Sequence, residues 1–88
     1  MLNITFSPTA WNQYLYWQKT DKQILKRINM LIKELQRNSK STIGKAELLK
    51  GEFQGFASQR INKEHRLIYR IDNNNLEIAQ LRFHYHKS

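Results

Sequence analysis

One carboxylate, one imidazole and several guanidiniums recur at strand spacing in the second half of an 88-residue chain. Arg66, Ile68 and Arg70 alternate with Leu67, Tyr69 and Ile71, and Arg82 and His84 alternate with Leu81 and Phe83. Successive strand residues point to opposite faces. The apolar sets therefore mark core faces, and Arg66, Arg70, Arg82 and His84 are expected to share an open one, beside Lys45, Glu47 and Lys50. Such a set suits RNA cleavage without a metal. A base takes the 2′-hydroxyl proton, the oxygen attacks the neighbouring phosphate, and an acid protonates the leaving 5′-oxygen. Cations stabilise the charge that gathers on the phosphoryl oxygens.

Each residue also has a plainer reading. Glu47 could be a surface partner of Lys45 or Lys50, and Arg66 and Arg70 could blunt a strand face against aggregation. His84 and His86 could ligate a metal, although zinc sites need three or four ligands and no third is evident. Trp11, Tyr14 and Tyr16 suit a core or an interface better than a base-stacking platform. Residue types alone leave these readings open.

Composition narrows the field. Eighty-eight residues are expected to form one small domain, 1–88. Without cysteine it has neither a disulfide framework nor a thiolate metal site. A formal net charge of +8 attracts polyanions and speeds association with them. No apolar run approaches the roughly 20 residues that span a bilayer. The opening MLNITFSP lacks the basic start and long apolar stretch of a signal peptide, so a cytoplasmic location is expected.

The elements that must position these residues are legible in outline. LNITF alternates like a short strand, and Ser7-Pro8 reads as an N-cap with proline at the first helical position. Trp11, Tyr14, Leu15 and Gln18 fall on one face of a helix ending near Lys19. Thr20 and Gln23 match a capping box, and Ile24, Leu25, Ile28, Leu31, Ile32 and Leu35 recur at helical spacing. NSKSTIGK, with Gly44, then suits a turn. Strands are expected weakly over Glu47–Leu49, then over Phe56–Ile61, Arg66–Ile71 and Leu76–Phe83, with Asp72-Asn73-Asn74-Asn75 a turn. The expected fold is α+β: a small antiparallel β-sheet carrying an N-terminal two-helix hairpin on one face, in the order β-α-α-β-β-β.

Three stretches carry a resemblance: WNQYLYWQKTDKQILKRINMLIKELQR, GKAELLKGEFQGFASQRINKEHRLIYRI and the terminal RFHY. In this order they resemble the YoeB/Txe family of bacterial toxins, within the RelE/ParE superfamily, across nearly the whole chain. The resemblance implies a type II toxin–antitoxin toxin that cleaves translated mRNA in the ribosomal A site, needs no metal or other cofactor, and is held inactive by a cognate antitoxin. It also implies roles. Glu47 would be the general base, Arg66 the phosphate-steadying cation, His84 the general acid and Tyr85 the residue that orients substrate. Lys50 and Arg60 match supporting basic positions, and with Lys45, Arg70 and Arg82 they are the expected RNA-binding cations. The antitoxin is expected to be acidic and partly disordered, the other partners to be the ribosome and mRNA rather than a membrane, and a homodimer is compatible with the reading. The second function class is a non-catalytic binder on the same scaffold, either a gyrase poison of the ParE type or a basic nucleic-acid module.

Departures from the family pattern are local. Ala46 and Leu48 stand where GKPEPLK has prolines, which implies a less rigid loop around Glu47. Gln59 stands where SRRI has arginine, and is expected to remove one phosphate-facing cation. Three residues follow Tyr85.

Overall fold

The alternation near the N-terminus becomes a four-residue strand, β1 (Asn3–Phe6), in the computed structural model, which describes residues 1–37 and 46–83. Ser7 ends the strand and begins a helix. Its hydroxyl accepts the Ala10 amide at 3.0 Å and donates to the Ala79 carbonyl at 2.9 Å, while Pro8 occupies the first turn. The helix, α1 (Pro8–Thr20), buries Ala10 and Trp17. Trp11, expected on the buried face, is 47% exposed and stacks on Tyr14. The reason is Trp17, whose indole N–H reaches inward to the Leu81 carbonyl at 2.9 Å and sets the rotation of the helix.

The second helix, α2 (Lys22–Arg37), buries Ile28, Leu31, Ile32 and Leu35, as their spacing requires. Its cap differs from the expected Thr20–Gln23 box. Asp21 Oδ1 accepts the Gln23 and Ile24 amides at 3.0 and 3.2 Å, whereas the Thr20 hydroxyl donates back to the Tyr16 carbonyl. Asp21 also breaks the run between the helices, since its extended backbone ends α1 before its side chain starts α2. No helix among the described residues is long and apolar enough to cross a membrane.

Four further strands follow: β2 (Glu47–Leu48), β3 (Ala57–Arg60), β4 (Arg66–Asp72) and β5 (Asn75–Gln80). They form one sheet with β1, in the order β1-β5-β4-β3-β2. Pairing is antiparallel from β2 to β5, and β1 adds a parallel edge beside β5, so the sheet is mixed. The helices and one sheet face share a core built from Trp17, Ile28, Leu31, Leu35, Leu67, Tyr69, Leu76, Ile78 and Leu81, among others.

Register decides which residues meet. Asp72 pairs with Asn75 across a two-residue turn, where Asn73 takes a left-handed φ of 56° that asparagine tolerates. Left regular, this hairpin would set Arg66 and the end of β5 in opposite phase. A bulge intervenes: Tyr69 opposes Ile78, but Ile68 opposes Gln80, leaving Ala79 as an extra residue. The phase past the bulge is the one a shared site requires. β5 then stops at Gln80, short of the expected Phe83.

Candidate functional site

A straight row crosses four strands. Glu47 on β2 opposes Ser58 on β3, Ser58 opposes Ile68 on β4, and Ile68 opposes Gln80 on β5. Opposed residues share a face, and Leu67 and Tyr69 on alternate positions of β4 point to the helices. Glu47 and Ile68 therefore lie on the far face, and so does Arg66, two residues from Ile68. Arg60 opposes Arg66 directly. Strand spacings of about 4.8 Å and rises of about 3.3 Å put the Glu47 and Arg66 backbones about 12 Å apart. Extended carboxylate and guanidinium side chains can close on a phosphodiester placed between them.

The charges on this face are unevenly met. Arg70 directs Nε and Nη2 to Glu77 Oε1 at 2.9 and 2.6 Å, and its guanidinium lies 4.8 Å from the centre of the Phe56 ring. Its charge is already matched by its cross-strand neighbour. Arg60 and Arg66 form no ion pair among the described residues, and neither does Glu47. Two guanidiniums so opposed repel one another across the ladder, a repulsion that an anion between them would relieve.

Part of the same face is closed to water. Ile68 and Leu49 are buried although neither belongs to the main core, and Ser58 beside Glu47 is buried with its hydroxyl unpartnered. Leu48, in one of the positions where proline was expected, is 81% exposed. Lys50 is exposed just before a single 3-10 turn, Gly51–Phe53. No group of three His, Cys, Asp or Glu suited to a metal ion occurs among the described residues.

Three expectations need correction. Arg82 does not join the far face. With the chain out of the ladder after Gln80, its guanidinium lies 3.8 Å from the centre of the Tyr16 ring on α1, with Nε buried and unpartnered. Phe83 is not a core anchor either; it is 45% exposed, with a left-handed φ of 67°. Gln59 opposes Leu67 on the helix side and is 2% exposed, so it takes no cation away from the phosphate-facing side. Lys45, His84 and Tyr85 lie outside the described residues.

Sequence reasoning missed how the last described residues are held. The Leu81 amide donates to Gln13 Oε1 at 2.6 Å, the Phe83 amide to His65 Nδ1 at 2.8 Å, and the Arg66 amide to the Phe83 carbonyl at 3.1 Å. The one available signal was His65 itself, a polar residue on the core parity of EHRLIY.

Comparison with known proteins gives concordant results. A family model described as the YoeB-like toxin of bacterial type II toxin–antitoxin systems matches residues 6–85. Toxin YoeB of Synechocystis sp. is 46% identical over 86 residues, covering 98% of this chain and all of that protein. The solved YoeB/ParE toxin from Agrobacterium tumefaciens superposes with a TM-score of 0.90 at 38% identity, covering 96% of this chain and 100% of that one. YoeB from Staphylococcus aureus has been solved in complex with YefM, at TM-score 0.86 and 48% identity over 97% of this chain and 99% of that one. It has also been solved as a dimer, at TM-score 0.86 and 49% identity over 96% and 98%.

Proposed function

Because the chain belongs to the YoeB-like toxins of bacterial type II toxin–antitoxin systems, we propose that it is an endoribonuclease that cleaves mRNA on the ribosome by metal-independent acid–base chemistry. The observation that carries this reading is the Arg60–Arg66 pair, opposed on the face that also bears Glu47, with none of the three in an ion pair among the described residues. In the proposed reaction Glu47 removes the 2′-hydroxyl proton. Arg66, with Arg60 beside it, holds the scissile phosphate and stabilises its transition-state charge. His84 protonates the leaving 5′-oxygen and Tyr85 orients the substrate. Lys50 and Lys45 add to the field that draws RNA in.

The whole chain acts as one toxin domain in the cytoplasm, where translating ribosomes are. Its partner is a cognate antitoxin, a reading supported by the S. aureus YoeB–YefM toxin–antitoxin complex, and an acidic segment of that antitoxin orders on binding. The S. aureus dimer supports self-association of this chain as well.

Purified protein added to translating ribosomes carrying a defined mRNA tests the reading, with new ends mapped by primer extension. New ends that survive a transition-metal chelator sparing magnesium are expected. Intact mRNA would favour a non-catalytic binder on the same scaffold, and activity restored only by zinc would return His84 and His86 to the role of ligands.

A further inference from the structure

Between Arg66 and the exposed Glu64 sits a histidine that the proposed reaction does not use. His65 is 6% exposed. Its amide donates to Asn62 Oδ1 at 2.7 Å, and its carbonyl accepts from the Ile61 and Asn62 amides at 2.9 and 3.3 Å. Its ring meets Trp17 edge-on, with centroids 4.8 Å apart. Main chain and ring are thus both fixed in place. Nδ1 accepts the Phe83 amide at 2.8 Å. A donor there requires a free lone pair, so the ring hydrogen sits on Nε2, the atom that Glu64 Oε1 approaches at 3.5 Å.

Phe83 needs such a hold. Its left-handed φ of 67° is a conformation that residues with a Cβ keep only where their surroundings over-determine it. Two hydrogen bonds from adjacent residues do so. His65 Nδ1 takes the Phe83 amide, and the Arg66 amide donates to the Phe83 carbonyl. One dipeptide therefore grips Phe83 on both sides, immediately before His84 and Tyr85 in the chain. That dipeptide also supplies the guanidinium opposed to Arg60.

We propose that His65 is a positioning residue: its Nδ1 fixes the conformation of Phe83, the residue from which the chain runs on to His84 and Tyr85, and cleavage depends on that hold. The second half of this statement rests on the cleavage reading above; the grip on Phe83 does not. Direct proton transfer to RNA by His65 is a poorer fit, since the ring is buried and its lone pair is already committed.

Two variants of the full chain separate shape from hydrogen bonding. His65→Phe keeps a flat ring beside Trp17 without an acceptor. His65→Asn places Oδ1 close to where Nδ1 was, an acceptor without the ring. Amide exchange followed by NMR reads the grip directly. In His65→Phe the Phe83 amide is expected to exchange roughly tenfold faster, the worth of one hydrogen bond, with Leu31 and Leu67 unchanged. His65→Asn should restore part of the protection. Cleavage on ribosomes should follow, with kcat down about tenfold or more in His65→Phe, KM near the wild-type value, and partial recovery in His65→Asn.

Unchanged Phe83 protection and unchanged kcat in His65→Phe would overturn the proposal, as would a His65→Asn no better than His65→Phe in both readouts. If His65→Phe does not fold, the wild-type imidazole decides through its nitrogen chemical shifts: the Nε2–H tautomer is expected, and a proton on Nδ1 overturns the grip. If the wild-type protein cuts no mRNA while Phe83 protection still depends on His65, the cleavage reading fails and the grip stands.

Discussion

Arg60 and Arg66 face each other directly across β3 and β4, on the side of the sheet away from the helices, with no carboxylate paired to either among the described residues. Like charges so opposed destabilise a ladder by up to about 1 kcal/mol, a strain that a bound anion relieves. Arg66→Ala is therefore expected to move two readouts apart. Melting temperature at low salt should hold or rise slightly, while cleavage falls by roughly 10²–10³. A variant that loses stability along with activity would mean that Arg66 serves the fold.

Glu47 is exposed, on a two-residue strand at the edge of the sheet. Glu47→Gln keeps its shape and removes its basicity. Cleavage should fall by roughly 10²–10⁴, with unfolding free energy in urea changed by less than about 0.5 kcal/mol. Full activity in this variant would remove Glu47 as the base.

Association with RNA should weaken steeply as salt rises, given a net charge of +8. Each phosphate contacted on a single strand contributes about −0.7 to the slope of log affinity against log salt. Arg66→Ala should flatten that slope by roughly one contact's worth. A slope already flat in the wild-type protein would separate the basic excess from RNA binding.

Trp17 joins α1 to the end of β5 through a buried hydrogen bond to the Leu81 carbonyl. Trp17→Phe strands that carbonyl and opens a void, so urea unfolding should show a loss of roughly 2–4 kcal/mol. A loss below about 0.5 kcal/mol would indicate that the indole N–H contributes nothing the site cannot replace.

Deleting His86, Lys87 and Ser88 should leave cleavage nearly intact, and deleting from Tyr85 onward should reduce it severely with little change in melting temperature. Equal damage from both deletions would shift the catalytic burden beyond Tyr85.

What could be read in the sequence was whatever repeats locally. The 3.6-residue spacing from Ile28 to Leu35 and the alternation of Arg66, Ile68 and Arg70 with Leu67 and Tyr69 each follow from a period, and the structure keeps both. The Ser7 cap has an equally local signature. Thr20 misled because Asp21, one residue on, is the better acceptor for the exposed amides of α2. Arg82 and Phe83 misled because alternation was carried past Gln80, where the ladder ends. The hold that His65 has on Phe83 joins residues distant in sequence and depends on a ring nitrogen accepting a backbone amide, which leaves no mark on local pattern. Of the candidate site, Glu47 and Arg66 were legible from the strand pattern and Arg60 only through the family resemblance, while the opposition of Arg60 to Arg66 and the neutralisation of Arg70 by Glu77 required the register.

In coding terms, Ala79 is one spare residue held in the β4–β5 hairpin. Which side chains share a face depends only on whether the residue count between paired positions is odd or even. Held in the turn instead, the extra residue would keep Gln80 opposite Ile68 but would turn Leu76 and Ile78 away from the core. Loss of a codon at Ala79 alone would leave Gln80 opposite Ile68 and Leu81 buried, because it removes only the residue that the ladder already skips. Relatives could thus lack this residue and keep the same site, provided the codon lost is the one the ladder skips.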